Sequence, residues 1–305
     1  MMTKFMIVDG TNISFRAACV AASIQPQSYS SEGIPTGTLS VFFNIFNKVM
    51  MEIQPDYIVC CWDTNTNTFR KKLYPDYKAT RHKNDLDVDI KVANKQFKFI
   101  RLLLEKLGIK NINIEEYESD DICGSCVQIS QADENYIISG DKDFFQLVNE
   151  NTFVIFPKSG FTEYIKVTPQ YIEDKYNINY INYIDMKILC TDKSDNIIGY
   201  KGCGPKIASK MINEFGNSKN IVKLTIDDLY NYNKTIKNNL EDWKNRYELL
   251  TKLMTIKKDL EIPYKFEDFE INLLKWLEIK PILEDLQMYR LINLISWGAV
   301  YRLKW

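Results

Sequence analysis

The chain has one histidine, His82, in 305 residues, and that scarcity removes several chemistries at once. Triads built on an imidazole base and most zinc sites need more than one such residue. Cysteine is present but unpatterned: seven residues, an odd number without regular spacing, argue against a disulfide framework. Cys123-Gly-Ser-Cys126 spells a CxxC, yet no second CxxC follows and the pair sits three apart on what reads as a buried helix face, so packing is expected of it. No apolar run approaches the roughly 18 residues a membrane span requires, and Met1 to Lys4 is too short for a secretory leader. A reducing cytoplasm and no membrane partner are the expectations. Excess positive charge is missing too: the formal net charge is -1. With 45% hydrophobic and 26% charged residues, the chain can bury a full core, as two lobes of roughly 100 to 200 residues each.

What the chain has instead is carboxylate in particular places. Nine acids occur in five short motifs: Asp9 in IVDGTN, Asp63 in CCWDTN, Glu118, Asp120 and Asp121 in ESDD, Asp141 and Asp143 in SGDKD, and Asp192 and Asp195 in TDKSDN. Such acids repel one another unless a cation lies among them. Four of the motifs sit at or beside the end of an apolar run, so folding is expected to crowd them together, and hard divalent cations with oxygen ligands, Mg²⁺ or Mn²⁺, are their natural neutralisers. Two such ions suit in-line displacement at a phosphodiester, because one activates water and both stabilise charge on the attacking and leaving oxygens. With the nine acids set aside as metal-bound, the remaining surface is clearly basic, as a phosphate-binding surface should be. The pattern is that of a metal-dependent nuclease.

The first half alternates strand-like and helix-like segments, the mark of a parallel α/β sheet. Strands are expected at Phe5 to Val8, Tyr57 to Trp62, Ile112 to Ile114 and Tyr136 to Ser139, with helices at Thr38 to Met51 and Phe97 to Leu107, the latter stopped by Gly108. Loops at the carboxyl ends of parallel strands converge on one crevice, which would bring Asp9, Asp63, Asp141 and Asp143 together. ESDD instead opens a helix, where acids also serve the positive end of the helix dipole and an ordinary capped N-terminus is the alternative. Between Asp63 and the Phe97 helix, Arg70, Lys71, Lys72, Lys78, Arg81 and Lys83 are interleaved with Phe69, Tyr74 and Tyr77. Cations with aromatics suit single-stranded nucleic acid, whose backbone is held by charge and whose bases stack on rings; a solvated charged loop is the alternative. His82 in this stretch is expected as a surface or phosphate contact. From about Thr168 the chain turns to helices rich in Asn, Lys and Tyr. Gly199-Tyr-Lys-Gly202-Cys-Gly204-Pro-Lys206, with Lys210 beyond, lets backbone approach a phosphate and presents helix-start N–H groups to it, a grip on duplex that does not read sequence. Trp243, Trp276 and a helix from Leu291 to Trp297 give packing signals only.

In combination these motifs resemble the flap endonuclease family, the structure-specific 5′ nucleases that include bacterial and phage 5′–3′ exonucleases, over Asp9 to about Phe215. Without a polymerase domain, the chain looks like the stand-alone phage type. The resemblance implies an α/β fold: a central, mostly parallel sheet with flanking helices (a PIN-like or resolvase-like nuclease core) over residues 1–175, with a helical arch inserted at about 64–96. A helical DNA-binding region over 176–305 would contain a helix-hairpin-helix at about 191–215. It implies one metal site at Asp9, Asp63, Glu118 and Asp120, a second at Asp141, Asp143, Asp192 and Asp195, and Asp121 as a further acid of the cluster. Lys78 and Arg81 would contact the scissile phosphate, Tyr77 would stack on a base, and Gly202, Gly204, Lys206 and Lys210 would hold duplex, with K⁺ often bound there. Two Mg²⁺ ions, replaceable by Mn²⁺, are the implied cofactors. DNA with a 5′ flap or branch, or an RNA–DNA hybrid, is the implied partner of a monomer in the nucleoid or phage-infected host cytoplasm. Replication proteins would be further partners. Thr191 stands where the family usually has glycine. A non-catalytic junction-binding protein is the rival from another class, but no metal ligand is missing; a single-strand ribonuclease of the PIN type would need neither the basic insertion nor GYKGCGPK.

Overall fold

The computed structural model describes residues 2–24, 29–30, 33, 35–64, 67–80, 90–158, 163–272, 275, 278–286 and 292. Strands β1 (Lys4–Asp9), β2 (Tyr57–Cys61), β3 (Lys110–Ile112), β4 (Glu134–Ile138), β5 (Thr152–Pro157) and β6 (Tyr164–Val167) form one sheet in the order β3-β2-β1-β4-β5-β6. All neighbouring pairs are parallel except the β5–β6 edge, which is antiparallel. β1 is the central strand and buries both faces by alternation. Phe5 and Ile7 join a core with Val59, Cys61, Ile137 and Val154, while Met6 and Val8 face a second core with Ile58, Cys60, Tyr136 and Ile138. A strand that is apolar on both faces needs layers on both sides. The second face is covered by α2 (Gly37–Ile53) and α4 (Ile90–Lys106), with α1 (Gly10–Ser23) packed on α2. The first face carries α5 (Ser119–Gln128) and most of the helical C-terminal half, while Ile279, Leu283 and Leu286 join the second core.

Strand order reverses between β1 and β4, the point at which an open parallel sheet leaves a crevice beyond its carboxyl ends. Asp9 is the last residue of β1, and Ser139-Gly140-Asp141 follows β4 directly. The strands and helices expected of the first half are present, with shifted ends. The helix expected from Phe97 begins at Ile90, and it ends at Lys106 just before Gly108, which takes φ +82° and stops it as expected. The β5–β6 hairpin edge was not anticipated. Part of the basic stretch forms α3 (Phe69–Leu73). Arg81, His82 and Lys83 lie outside the described residues, as do Trp276 and all of the expected helix from Leu291 to Trp297 except Ile292.

In the C-terminal half, α6 (Pro169–Tyr176) and α7 (Tyr183–Leu189) precede the glycine-rich loop, and α8 (Pro205–Phe215) follows it. Then come α9 (Ser218–Ile221), α10 (Lys234–Asn238) and α11 (Leu240–Met254). Trp243 is fully buried, as expected; its indole N–H donates to the Ile188 carbonyl (3.3 Å) and its ring stacks on Tyr200 at 5.2 Å. Two elements far apart in sequence are thereby fixed to the helix before the loop.

Candidate active site at the carboxyl end of the sheet

Asp9 is 4% exposed and accepts three hydrogen bonds: from the Asn12 amide (3.1 Å), the Ser119 hydroxyl (2.9 Å) and the Ser139 hydroxyl (2.8 Å). Those donors are outweighed. Burial first, and the neighbouring Asp63 charge second, push its carboxyl up to about 7. Asp63 follows β2, accepts from the Ser119 amide (2.7 Å), and is positioned by its own amide on the Thr11 hydroxyl (2.8 Å). Ser119 thus bridges the two acids through amide and hydroxyl. Among the described residues, no lysine or arginine pairs with either acid.

Glu118 is the N-cap of α5, and its carboxylate is crowded with donors: Lys78 Nζ (2.6 Å), the Tyr77 hydroxyl (2.7 Å) and Arg70 (3.4 Å). Burial disfavours its ionisation, but Lys78 and Arg70 outweigh burial and hold it below the ordinary carboxylate range. Asp120 moves the other way: burial and the adjacent Asp121 raise it well above that range. The capped-helix alternative also holds. Asp121 sits at the third helical position, 3.5 Å from the Glu118 amide.

The second set lies across the β4 end. Asp141 caps the short 3₁₀ turn Lys142–Leu147 by accepting from the Asp143 amide (2.9 Å), and its own amide donates to Ser139 (3.1 Å). Ser139 therefore touches both sets. Lys187 of α7 places its ammonium 2.7 Å from Asp143 and 2.6 Å from Asp192. Burial and Asp141 still push Asp143 up to about 6, whereas Lys187 overcomes burial at Asp192 and holds it at about 2. Asp192 also accepts from the Ser194 (2.9 Å) and Asp195 (3.2 Å) amides, so it organises the loop that bears Asp195.

The nine acids are thus two sets joined through Ser139 rather than one cluster. Among the described residues, no three acids, cysteines or histidines surround one point as ligands of a single ion. Lys187 stands between Asp143 and Asp192, and Lys78 against Glu118. The donor set is nevertheless all carboxylate oxygen, and at Asp9 burial and Asp63 disfavour a charge that no lysine or arginine offsets among the described residues. Both features fit a hard divalent ion.

Three residues read from the sequence stand elsewhere than expected. Arg70, expected on nucleic acid, is 2% exposed; it forks onto Asp121 (2.6 and 2.8 Å) and donates to the Leu253 (2.9 Å) and Thr255 (3.2 Å) carbonyls. Asp121, expected at the metal cluster, is fully buried by that fork and by the Lys257 amide (2.8 Å). Tyr77, expected to stack on a base, is 4% exposed with its hydroxyl on Glu118. Of the other basic residues, Lys71 donates to the Tyr77 carbonyl (3.0 Å) and Lys72 pairs with Glu116. Lys78 adopts φ +57°, with its amide on the Asp195 carbonyl (2.9 Å) and its ammonium on Glu118. Cys123 and Cys126 are buried and unpaired by disulfide, as packing required.

Sequence reasoning passed over Ser119, Ser139, Asn196 and Lys187. The two serines lie inside motifs already singled out. Lys187 left a fainter trace: it is a charge between the buried Met186 and Ile188. In the glycine-rich loop, a Cβ on Gly199 would stand 2.3 Å from the Cys190 carbonyl oxygen, so that close approach requires glycine. The Gly199 amide donates to the Thr191 hydroxyl (3.2 Å), which gives that side chain a function in closing the loop. Gly204 caps α8, Pro205 opens it, and Lys206 and Lys210 lie exposed on it.

Sheet order, acid placement and the loop-helix element together define an α/β nuclease fold with a helical C-terminal half. A family model described as the 5′–3′ exonuclease N-terminal resolvase-like domain matches residues 4–177, and one described as the 5′–3′ exonuclease C-terminal SAM fold matches residues 178–275. The chain belongs to the 5′–3′ exonuclease family of nucleases. DNA polymerase I of Streptococcus pneumoniae strain R6 is 32% identical over 87% of the chain, which covers 30% of that protein. DNA polymerase I of Bacillus subtilis strain 168 is 30% identical over 95% of the chain and is covered over 32% of its own length. The chain thus spans about a third of the length of these curated relatives. Among solved structures, the T5 D15 protein co-crystallised with metal ions superposes with a TM-score of 0.64 at 20% identity, covering 99% of this chain and 98% of that one. The catalytic core of Rad2 in complex with DNA substrate gives a TM-score of 0.60 at 16% identity, covering 97% and 91%. No helix among the described residues is long and apolar enough to cross a membrane.

Proposed function

We propose that the chain is a Mg²⁺-dependent, structure-specific 5′ nuclease that cuts DNA at 5′ flaps and branches, with 5′–3′ exonuclease activity and RNA primers annealed to DNA as further substrates. The observation that carries this is Asp9, buried beside the half-buried Asp63 at the strand-order reversal, with no lysine or arginine paired to either among the described residues. Two Mg²⁺ ions, or Mn²⁺ in their place, held by Asp9, Asp63, Glu118 and Asp120 and by Asp141, Asp143, Asp192 and Asp195, would supply the activated water and neutralise the leaving oxygen. The chain's own groups do the rest. Ser119 and Ser139 orient Asp9 and Asp63, and Lys187 balances the charge of Asp143 and Asp192. Lys78, with Arg81 beyond the described residues, contacts the scissile phosphate. Gly202, Gly204, Lys206 and Lys210 hold duplex by its backbone, with K⁺ at the same loop. Residues 1–175 form the nuclease core and 176–305 the DNA-binding region, in a monomer working in the cytoplasm on replicating or damaged DNA.

The decisive experiment is cleavage of a 5′-flap DNA labelled in parallel at either end, in Mg²⁺ and in EDTA. Metal-dependent release of an oligonucleotide cut near the junction is expected; tight binding without cleavage in Mg²⁺ or Mn²⁺ would favour a junction-binding protein instead. Lys78→Ala is expected to slow the chemical step by roughly 10²-fold, because a cation beside the transferring phosphate acts mainly in the transition state. Single-turnover rates equal to wild type would remove Lys78 from the chemistry.

A further inference from the structure

We propose that the segment Tyr230–Lys237 is a second wall of the duplex-binding surface, extending the grip on double-stranded nucleic acid beyond the glycine loop and α8. This rests on the assignment of that loop and helix to duplex binding.

The segment is built against the loop rather than merely near it. Gly202 takes φ +87°, and a Cβ there would stand 2.9 Å from Thr235 Cγ2, so a side chain at the turn would push the segment away. From the same loop, the Tyr200 hydroxyl donates to the Ile236 carbonyl (2.8 Å). From α8, the Lys210 ammonium lies 4.4 Å from the centre of the Tyr232 ring, and the Tyr232 hydroxyl donates to Glu214 (2.7 Å). Lys237 closes the segment on itself, donating to the Tyr230 carbonyl (3.2 Å). Two cation-bearing elements are therefore held at a fixed spacing.

Charge points the same way. Between Tyr200 and Leu240 there are seven lysines and three acids, Glu214, Asp227 and Asp228. Two of those acids are engaged: Glu214 by the Tyr232 hydroxyl, and Asp228 by the Thr225 amide (2.7 Å) and hydroxyl (2.8 Å). Lys201, Lys206, Lys210 and Lys234 are exposed, and Lys237 is half-buried at the rim. A solvated charged face is the ordinary fate of surface lysines. Here, however, α10 is packed on the glycine turn through Thr235 and Ile236, and Lys210 of α8 lies over the Tyr232 ring just before α10. Lysine meets phosphate as a point charge and carries no base preference, so the surface fits duplex backbone of any sequence.

The test is binding of the full chain to blunt duplex DNA in EDTA across a salt series, followed by fluorescence anisotropy. Each phosphate contact contributes about −0.9 to the slope of log K against log salt, and the variants are read by the magnitude of that slope. Lys234→Ala/Lys237→Ala is expected to lower the wild-type slope by about 2, equally for unrelated sequences, and Lys234→Arg/Lys237→Arg to keep it. Lys234→Ala alone, at an exposed side chain, is expected to lower it by about 1 and guards against local unfolding around Lys237. If these alanine variants keep the full slope while Lys206→Ala/Lys210→Ala reduces it, the second wall is wrong and the loop assignment stands. If neither reduces it, both are wrong.

Discussion

Asp9→Asn is expected to reduce single-turnover cleavage of a 5′-flap substrate by on the order of 10³-fold or more, equivalent to about 4 kcal/mol of transition-state stabilisation. Asparagine keeps the size of the side chain and one oxygen for the Ser119 or Ser139 hydroxyl, so the sheet end is left in place. What disappears is the negative charge at the strand-order reversal. Flap binding in EDTA is expected to stay within a few-fold of wild type, and cleavage near the wild-type rate would sink the assignment of this end of the sheet. The same variant has a second readout. Asp9 is raised from 3.8 to about 7, so the folded state prefers its protonated form. That preference favours folding fully below the unfolded value and is lost as pH rises through about 7. In chelated protein at pH 8, Asp9→Asn is therefore expected to be more stable than wild type by up to about 4 kcal/mol, with the difference vanishing near pH 4. Thermal melts in EDTA across that range test it, and a pH-independent difference would contradict it.

Arg70→Met is expected to destabilise the fold by roughly 3–5 kcal/mol, because it strands the Asp121 carboxylate at zero exposure. Arg70→Lys should recover only part, since an ammonium cannot fork onto two oxygens while also reaching the Leu253 and Thr255 carbonyls. The informative variant is the double, Arg70→Met/Asp121→Leu. Replacing a buried pair with apolar groups of similar size is often close to neutral, so most of the lost stability should return. Urea unfolding of all three measures this. A double variant as unstable as the single would mean that Arg70 chiefly serves Glu118 (3.4 Å) and Asp120 (3.8 Å) rather than Asp121.

These two residues also mark where sequence reasoning ends. Asp9 was legible because its cause is local: a short apolar strand ends there, and parallel strands end together. The same logic found Asp63, Asp141 and Asp143. Arg70 was not legible, because its partners lie 51 and 183 residues away, and nothing in FRKKLYPDYK distinguishes the cation that folds inward from those that stay in solvent. Tyr77 turned inward for the same reason: the Glu118 carboxylate that accepts its hydroxyl belongs to another element. Lys187 was hidden by chemistry of the opposite kind, a cation stable in the interior only because two acids from separate loops converge on it. The early start of α4 follows from IKVANK, whose polar residues disguised an ordinary helical stretch.

One pair of hydrogen bonds ties the two halves of the molecule at the point where their separation matters most. The Asp195 carbonyl holds the Lys78 amide, and the Asn196 side-chain amide donates to the Asp76 carbonyl (2.9 Å). Asp195 and Asn196 are also the residues that lead into the Gly199 turn. On the proposed function, the chain between Asn196 and Gly202 would act as a ruler, setting how far the Lys78 ammonium stands from the loop proposed to hold duplex. A nuclease so built would cut at a constant offset from a junction without measuring the flap.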